Sequence, residues 1–435
     1  MSTQLTLQTP LQLPPEEIPN YLKKLWTQDE PDNKGANTFC LLVWQPAWIE
    51  QQLVSSGELK GPIIGNQRYE LIEAARKVVL EEDLPHSTPP LDHSVHKILE
   101  KRSYKYKEDD LRGQHIDGAI SQLQPRRLIT LAPTIEKEHS LETLVAAYCP
   151  LPEEGGDDSA CGDVIVLRGD TSSIKDGLTI VESLIPEDLP SWLWWNGNLD
   201  EDPELLDQLA LQNRRIVIDS SLGEPMKCLD LLQKRIETGQ AVNDLNWLRL
   251  RTWRETLAMV FDPPDRRNSL DNLVNIDIDI EGNNPVQGLL LASWIADRLG
   301  WKLQKGIQKE GDCINANFSR IDNKIVSFRL MPLPIGKPSI HPGQIVGLRL
   351  ISKEKQSNKN STCVILASES GECMRLEAGG MASMELLEEV VPIQNESVEM
   401  DVARLLETSR GTTSPLLANA APIASKLLKM IESNQ

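Results

Sequence analysis

An alternation of apolar runs and helix-forming segments in the middle of the chain constrains its fold more than any other feature. Short apolar runs with β-branched or aromatic residues predict buried strands at Asp163–Arg168, Trp192–Trp195 and Arg215–Asp219. Helical segments separate these runs, and Asp202 followed by Pro203 is typical of a helix N-terminus. Because parallel strands need crossover helices, this order predicts an α/β domain with a doubly wound, largely parallel sheet.

The chain changes character after Asp262-Pro263-Pro264-Asp265, where two prolines end a predicted helix. Val274–Ile280 alternates apolar and acidic residues, which predicts a strand with one exposed face. Pro285 begins a predicted helix that Gly300 ends. Further strands are predicted near Cys313–Arg320, Ile325–Leu330, Gly343–Ile351, Cys363–Ala367 and Cys373–Glu377. Short turns between them predict a smaller α+β domain with an antiparallel sheet.

The length of 435 residues suits two domains with flanking segments. We predict an N-terminal arm and short helix over 1–26 and the α/β domain over 27–265. The α+β domain then covers 266–395, and a helical C-terminal tail covers 396–435.

The chain is acidic, with 45 Lys and Arg against 64 Asp and Glu and a formal net charge of −19. Such a charge repels phosphate backbones and therefore disfavours sequence-independent nucleic-acid binding. No apolar run is long enough to span a membrane, and the first residues lack the pattern of a secretion signal. We therefore expect a cytoplasmic protein without a nucleic-acid or membrane partner.

Motifs for common catalytic and cofactor chemistry are missing from the sequence. The glycine-rich dinucleotide signature, the P-loop and the Gly-x-Ser-x-Gly nucleophile turn do not occur. His93 and His96 form a His-x-x-His pair near His86, but a metal site needs three or four ligands. The sequence thus predicts no cofactor, no metal and no catalytic residue.

Asp219-Ser220-Ser221 ends a predicted parallel strand, and ligands of open α/β sheets bind at such carboxyl ends. An α/β enzyme or a metabolite sensor could use this crevice for a sugar phosphate or a nucleotide. Turn formation by Asp and Ser explains the same residues without any ligand. Both interpretations stay open at this point.

The seven cysteines are scattered, as expected in a reducing compartment. Cys149 and Cys161 flank the acidic loop of residues 150–160 symmetrically. If the strands on either side of the loop are antiparallel, the two thiols face each other, and we predict a redox pair. If those strands are parallel, the prediction fails.

Four segments, in this order, resemble the OpcA family: Gly162–Arg168, Leu189–Gly197, Asp244–Leu257 and Ala292–Trp301. Members are assembly or subunit proteins of glucose-6-phosphate dehydrogenase in cyanobacteria and actinobacteria. The long N-terminal segment and the cysteines of the C-terminal domain are similar to the cyanobacterial branch. The substrate motif of the dehydrogenase itself is missing, because only Arg320-Ile321-Asp322 of it occurs.

The resemblance implies a non-catalytic, allosteric activator of glucose-6-phosphate dehydrogenase. Such a protein binds the enzyme, promotes its active oligomer and raises its substrate response, which supports NADPH production in the oxidative pentose phosphate pathway. It also implies redox regulation, with thioredoxin as a further partner. Arg249, Arg251 and Arg254 are candidates for an exposed basic face that contacts the partner, although structural ion pairs explain them equally well.

Overall fold

The structure is a computed structural model. It describes residues 5–7, 11–28, 39–45, 126–133, 140–150, 162–200, 202–210, 214–282, 284–306, 308–333, 343–353, 360–368, 373–378, 387–393, 398–408 and 412–432. Two compact units divide the chain. The first contains Met1–Lys60, Asn66–Ile218 and Val398–Gly411, and the second contains Gly61–Gly65, Asp219–Ser397 and Thr412–Gln435. The boundary that we predict near residue 265 falls inside the second unit and stays a prediction.

The first unit is built on one sheet. Its strands are β1 Leu5–Leu7, β2 Leu11–Gln12, β3 Phe39–Trp44, β4 Arg126–Pro133, β5 Glu142–Pro150, β6 Gly162–Gly169, β7 Ser191–Trp195 and β8 Arg215–Ile218. Its helices are α1 Ile18–Gln28, α2 Thr171–Asp176, α3 Leu178–Leu184, α4 Pro203–Leu209 and, from the C-terminal part, α10 Val398–Thr408.

The strands of this sheet lie in the order β1-β5-β6-β4-β3-β7-β8, with β2 beside β5. Strands β6, β4, β3, β7 and β8 are parallel to one another, whereas β5 is antiparallel to β6 and β1. Central parallel strands are buried on both faces and therefore read as continuous apolar runs, as in β3 and β7. The prediction of a largely parallel α/β sheet is confirmed.

The tryptophans of β7 belong to the core of the first unit. Trp194 and Trp195 are both fully buried, and Trp195 stacks on Trp44 with ring centroids 5.2 Å apart. The indole Nε1 of Trp195 donates a hydrogen bond to the carbonyl oxygen of Asn198 at 3.0 Å. These two side chains therefore stabilise the sheet and offer no surface to a partner.

One predicted helix of the first unit is divided. The sequence suggests a single helix over Ile174–Ile185, but Gly177 ends α2 and precedes α3. A Cβ at Gly177 would lie 2.7 Å from Leu141 Cδ2, so a larger residue there would require the Leu141 side chain to move.

In the part of the chain that the structure describes, the second unit contains more strands than the first. They are β9 Val242–Asp244, β10 Leu273–Glu281, β11 Lys302–Leu303, β12 Gln308–Glu310, β13 Cys313–Ser319, β14 Ile325–Leu333, β15 Ile345–Lys353, β16 Asn360–Ser368, β17 Cys373–Ala378 and β18 Leu387–Pro392. Its helices are α5 Pro225–Glu237, α6 Leu245–Arg249, α7 Arg251–Phe261, α8 Pro264–Leu270, α9 Val286–Arg298 and α11 Pro415–Glu432.

The main sheet of the second unit has the order β11-β13-β14-β10-β15-β16-β17-β18, with β12 beside β13. Its pairs are antiparallel except β10 and β14, which are parallel. The predicted α+β unit with an antiparallel sheet and C-terminal helices is confirmed. The parallel pair was not predicted, because strand polarity depends on which strands become neighbours.

Helix α9 packs against one face of this sheet. A Cβ at Gly288 would lie 2.4 Å from Leu330 Cδ1 and 3.3 Å from Ile280 Cγ2, so helix and sheet approach closely there. Helix α11 packs in turn on α9 and α5. On β10 the isoleucines point into this core, whereas Asp277 and Asp279 alternate with them and point to the opposite, outer face of the sheet. The prediction that this strand has one exposed face is wrong, because Asp277 and Asp279 are only 4% and 9% exposed and pair with Arg329 and Arg349.

Within the ranges that the structure describes, no helix combines the length and the apolar character needed to cross a membrane.

Candidate functional site

The predicted strand-end residues lie in a buried polar cluster of the second unit. Asp219, Ser220 and Ser221 are at most 2% exposed. The Oδ1 atom of Asp219 accepts hydrogen bonds from the backbone N–H of Ser221 at 3.0 Å and from its hydroxyl at 2.6 Å. This local pattern is the turn chemistry that Asp and Ser favour.

Arg249, the last residue of α6, contacts the second carboxylate oxygen of Asp219. Its Nη2 donates to Asp219 Oδ2 at 2.7 Å, and the two side chains are only 9% and 3% exposed. A buried carboxylate needs such a partner because its desolvation is costly. The expectation that Arg249 belongs to an exposed basic face is therefore wrong, and the alternative of a structural ion pair is confirmed for it.

Asp244 is the N-cap of α6 and the second buried carboxylate of the cluster. It accepts hydrogen bonds from the backbone N–H and the hydroxyl of Ser220, at 2.9 and 2.7 Å, and from the N–H of Asn246 at 3.2 Å. Burial, and after it the negative charge of Asp219, raise the pKa of Asp244 to about 6, although these hydrogen bonds act in the opposite direction.

Amide side chains extend this cluster across the unit. Gln287 Nε2 donates to Asn246 Oδ1 at 2.8 Å, and Gln287 Oε1 accepts from the backbone N–H of Ile345 at 2.8 Å. Asn284 Nδ2 donates to the carbonyl oxygen of Ser221 at 3.1 Å. We call these eight residues the strand-end network: Asp219, Ser220, Ser221, Asp244, Asn246, Arg249, Asn284 and Gln287. It links the start of α6, the start of α9 and β15 through internal hydrogen bonds.

Sequence reasoning found only part of this network. Asp219-Ser220-Ser221 and Asp244 carry recognisable turn and cap signals. Asn246, Asn284 and Gln287 are single amides, and their partners lie up to 63 residues away along the chain. No local pattern identifies such partners.

The raised pKa of Asp244 predicts how stability depends on pH. Between pH 4 and pH 6 the folded chain keeps a proton on Asp244 that the unfolded chain has released, so this stabilisation is complete below about pH 4 and is lost as the pH rises through 6. Relative to Asp244→Asn, the unmutated chain should gain about 3 kcal/mol of unfolding free energy between pH 7 and pH 4. Urea unfolding of both chains across this range measures the difference, and a difference that does not change with pH would contradict it.

The other two predicted arginines occupy different surroundings. Arg251 is exposed, with 59% of its side chain accessible, and pairs with Glu255 one turn further along α7. Arg254 lies 3.8 Å from the centre of the Trp247 ring, and burial lowers the pKa of its guanidinium to about 10. Of the three, Arg251 alone is exposed, and contact of any of them with a partner stays a prediction.

The predicted redox pair lies partly outside the described residues, because Cys161 belongs to a range that the structure does not describe. The prediction requires that the strands on either side of the loop are antiparallel. These strands are β5 and β6, and they are antiparallel, with Tyr148 opposite Gly162. Under that condition we predict that the thiols of Cys149 and Cys161 face each other, and the pair stays a prediction. Cys40 is a contrasting case, because burial raises the pKa of its thiol to about 12 and keeps it protonated and unreactive.

Among the described ranges, no group of three or more His, Cys, Asp or Glu side chains is arranged to hold a metal ion. His86, His93 and His96 lie outside those ranges.

Comparison with known sequences places the chain in a family. Residues 117–234 match the glucose-6-phosphate dehydrogenase subunit N-terminal domain, and residues 240–421 match the C-terminal domain of the same subunit. A protein named OpcA from Synechococcus elongatus is 31% identical over 418 residues, which cover 93% of each chain. The chain belongs to the OpcA family. The resemblance seen in the sequence is thereby confirmed.

Further relatives cover nearly the whole chain as well. The OpcA protein of Nostoc punctiforme is 28% identical and covers 96% of this chain and 96% of its own length. That of Synechocystis sp. is also 28% identical and covers 93% of this chain and 89% of its own. All three relatives are named for the OxPP cycle.

Among solved structures, the likeness is distant. Levoglucosan dehydrogenase in complex with NADH and L-sorbose has a TM-score of 0.44 at 8% identity, covering 92% of this chain and 98% of that one. A dehydrogenase from Chromobacterium violaceum has a TM-score of 0.37 at 11% identity, covering 62% of this chain and 80% of that one. Likenesses at this level carry no inference about activity.

Proposed function

We propose that this chain is a non-catalytic assembly factor and allosteric activator of glucose-6-phosphate dehydrogenase. The observation that carries the proposal is the family match, which covers residues 117–234 and 240–421 and thus parts of both units. The proposed consequence is an active enzyme oligomer with a stronger substrate response, which feeds NADPH production in the oxidative pentose phosphate pathway.

The internal contacts of the strand-end network support the proposal that its residues do not take part in catalysis. Its two carboxylates are buried and accept hydrogen bonds from the chain itself, and Asp219 also carries an ion pair with Arg249. A general acid or base must reach a substrate proton within hydrogen-bond distance. The rival interpretation, an enzyme or a metabolite sensor at this crevice, would need these groups to leave their present partners first.

Activation of a partner has to operate through differential binding. A protein raises the activity of an enzyme by binding its competent state more tightly than its incompetent state. A coupling free energy of about 1–3 kcal/mol would change the substrate affinity about 5- to 150-fold. The interface itself should contain a small number of strongly contributing side chains, aromatic residues and arginines above all.

The substrate dependence of the cognate dehydrogenase, with and without the purified chain, tests this proposal. We expect a lower apparent KM or a higher kcat that saturates at a fixed molar ratio of the two proteins. Turnover of a sugar phosphate by the purified chain alone would favour the enzyme alternative. An unchanged dehydrogenase under both reducing and oxidising conditions would remove the activator proposal.

Redox control through Cys149 and Cys161 is the second part of the proposal, with thioredoxin as the reductant. Support comes from the antiparallel pairing of β5 and β6. After mild oxidation, mass spectrometry should detect a disulfide-linked peptide pair containing both residues, and reduced thioredoxin should remove it. Cys40 serves as an internal control that stays a thiol, because it is buried and its pKa is about 12. Two free thiols at Cys149 and Cys161 after oxidation would contradict this part.

A further inference from the structure

A grid of polar side chains covers part of the outer face of the second sheet, where β13, β14 and β10 lie side by side. The register aligns two rows across the three strands. The first row is Asn317, Ser327 and Asn275, and the second is Asn315, Arg329 and Asp277. With strand spacings near 4.8 Å and a two-residue step along each strand, the grid measures about 10 Å by about 7 Å.

These side chains line a groove of about 550 Å³. Gly306 also borders it, and Ile351, which is beside Asn275 in the sheet, adds an apolar surface at one end. The volume lies within the range of about 300–1,000 Å³ that small-molecule sites occupy. A groove of this kind has room for a single small ring with its substituents.

Three members of the grid have unused hydrogen-bonding capacity. Within the described part of the chain, no hydrogen-bond partner is present for the side chains of Asn315, Asn317 and Ser327. Asn315 and Asn317 are half-buried, and Ser327 is exposed. An asparagine amide offers donors and an acceptor, and a serine hydroxyl offers both functions on one oxygen. A ligand rich in hydroxyl groups, each of which donates and accepts, matches this combination.

The charges of the groove are already balanced. Arg329 donates from Nε and Nη2 to the two carboxylate oxygens of Asp277 at 3.2 and 3.0 Å. The amide of Asn275 also donates to Asp277, at 2.8 Å. Because the guanidinium is engaged by this carboxylate, an anionic ligand would meet little uncompensated positive charge. A neutral ligand fits better than a phosphorylated one.

We propose that this groove binds a neutral monosaccharide through the amides of Asn315 and Asn317 and the hydroxyl of Ser327. The proposal goes beyond the assembly role, since it needs no dehydrogenase and is tested on the full chain alone. Isothermal titration with unphosphorylated D-glucose, D-mannose and D-ribose is the experiment, with glucose 6-phosphate as the anionic comparison. We expect saturable binding of at least one neutral sugar, with a dissociation constant on the order of 1 mM.

Two variants make the result specific to the groove. Asn315→Ala combined with Asn317→Ala should weaken binding about tenfold or more, because each lost hydrogen bond reduces affinity. The double variant should fold normally, since neither amide has a partner within the described part of the fold. Glu388→Gln, an exposed change on β18 at the far edge of the same sheet, should leave binding unchanged.

Three results would overturn the proposal. They are no saturable heat with any neutral sugar, equal binding by the double variant, and tighter binding of glucose 6-phosphate than of glucose. None of them bears on activation of the dehydrogenase.

Discussion

Replacement of Arg249 by methionine is expected to lower the unfolding free energy of the second unit by about 3–5 kcal/mol. Methionine keeps much of the side-chain length but removes the guanidinium that donates to Asp219 Oδ2 at 2.7 Å. Asp219 is 2% exposed, so its carboxylate would stay buried without this cation. The uncompensated charge of Asp219 would also lie near Asp244, and Asp219 already raises the pKa of Asp244. Denaturant unfolding, followed by its midpoint and slope, measures the loss.

Arg251→Met is the matched control for this experiment. The side chain of Arg251 is 59% exposed and pairs with an exposed Glu255, and such surface pairs contribute about 0.2–1 kcal/mol. Equal losses for the two variants would contradict the assignment of Arg249 to a buried ion pair. The control also tests the predicted partner contact, because an Arg251→Met chain that is fully stable but binds the dehydrogenase less tightly would identify Arg251 as an interface residue.

Gly343→Ala should lower the unfolding free energy of the same unit by about 2–5 kcal/mol, because left-handed backbone strain and a steric clash add. Gly343 has a φ of +77°, and a Cβ there would lie 2.0 Å from the carbonyl oxygen of Asn284. Since that oxygen belongs to the backbone, it cannot rotate away as a side chain would. Asn284 would have to shift, and with it the hydrogen bond that it donates to Ser221.

Gly239→Ala distinguishes the left-handed backbone strain from the steric clash. Gly239 has nearly the same φ, +76°, but among the described residues, its own chain neighbours aside, no atom lies within 4 Å of the Cβ position. Its replacement should therefore cost only the backbone strain, about 1–2 kcal/mol. If both glycine variants lose the same stability, the close contact between Gly343 and Asn284 does not exist as described.

Local signals predicted the elements that depend on nearby residues. Asp202 caps α4 as predicted, and Gly300 follows α9 with a φ of +65°. The sequence also predicts one long helix, capped by Asn243 or Asp244 and ending at Phe261. Asp244 is the cap, but the helix divides at Leu250 into α6 and α7. No glycine or proline marks that division in the sequence.

Features that depend on residues far apart along the chain could not be predicted from the sequence. Strand β18 was not predicted, since Leu387–Pro392 contains two adjacent glutamates and lies at the edge of its sheet. The alternation in β10 predicts one exposed face, but Asp277 and Asp279 are buried there, because the neighbouring strands β14 and β15 place Arg329 and Arg349 beside them. For the same reason the sequence indicates Asp219 as a candidate but leaves open whether Arg249 lies on an exposed face or in an ion pair, since no local signal identifies Asp219 as its partner.

The molar mass of the complex formed with the cognate glucose-6-phosphate dehydrogenase tests the central claim most directly. Size-exclusion chromatography with light scattering should show one species that contains both proteins at a fixed ratio, together with a larger dehydrogenase oligomer than the enzyme forms alone. Separate elution of the two proteins, with an unchanged mass for the dehydrogenase under reducing and oxidising conditions, would contradict the proposed assembly role.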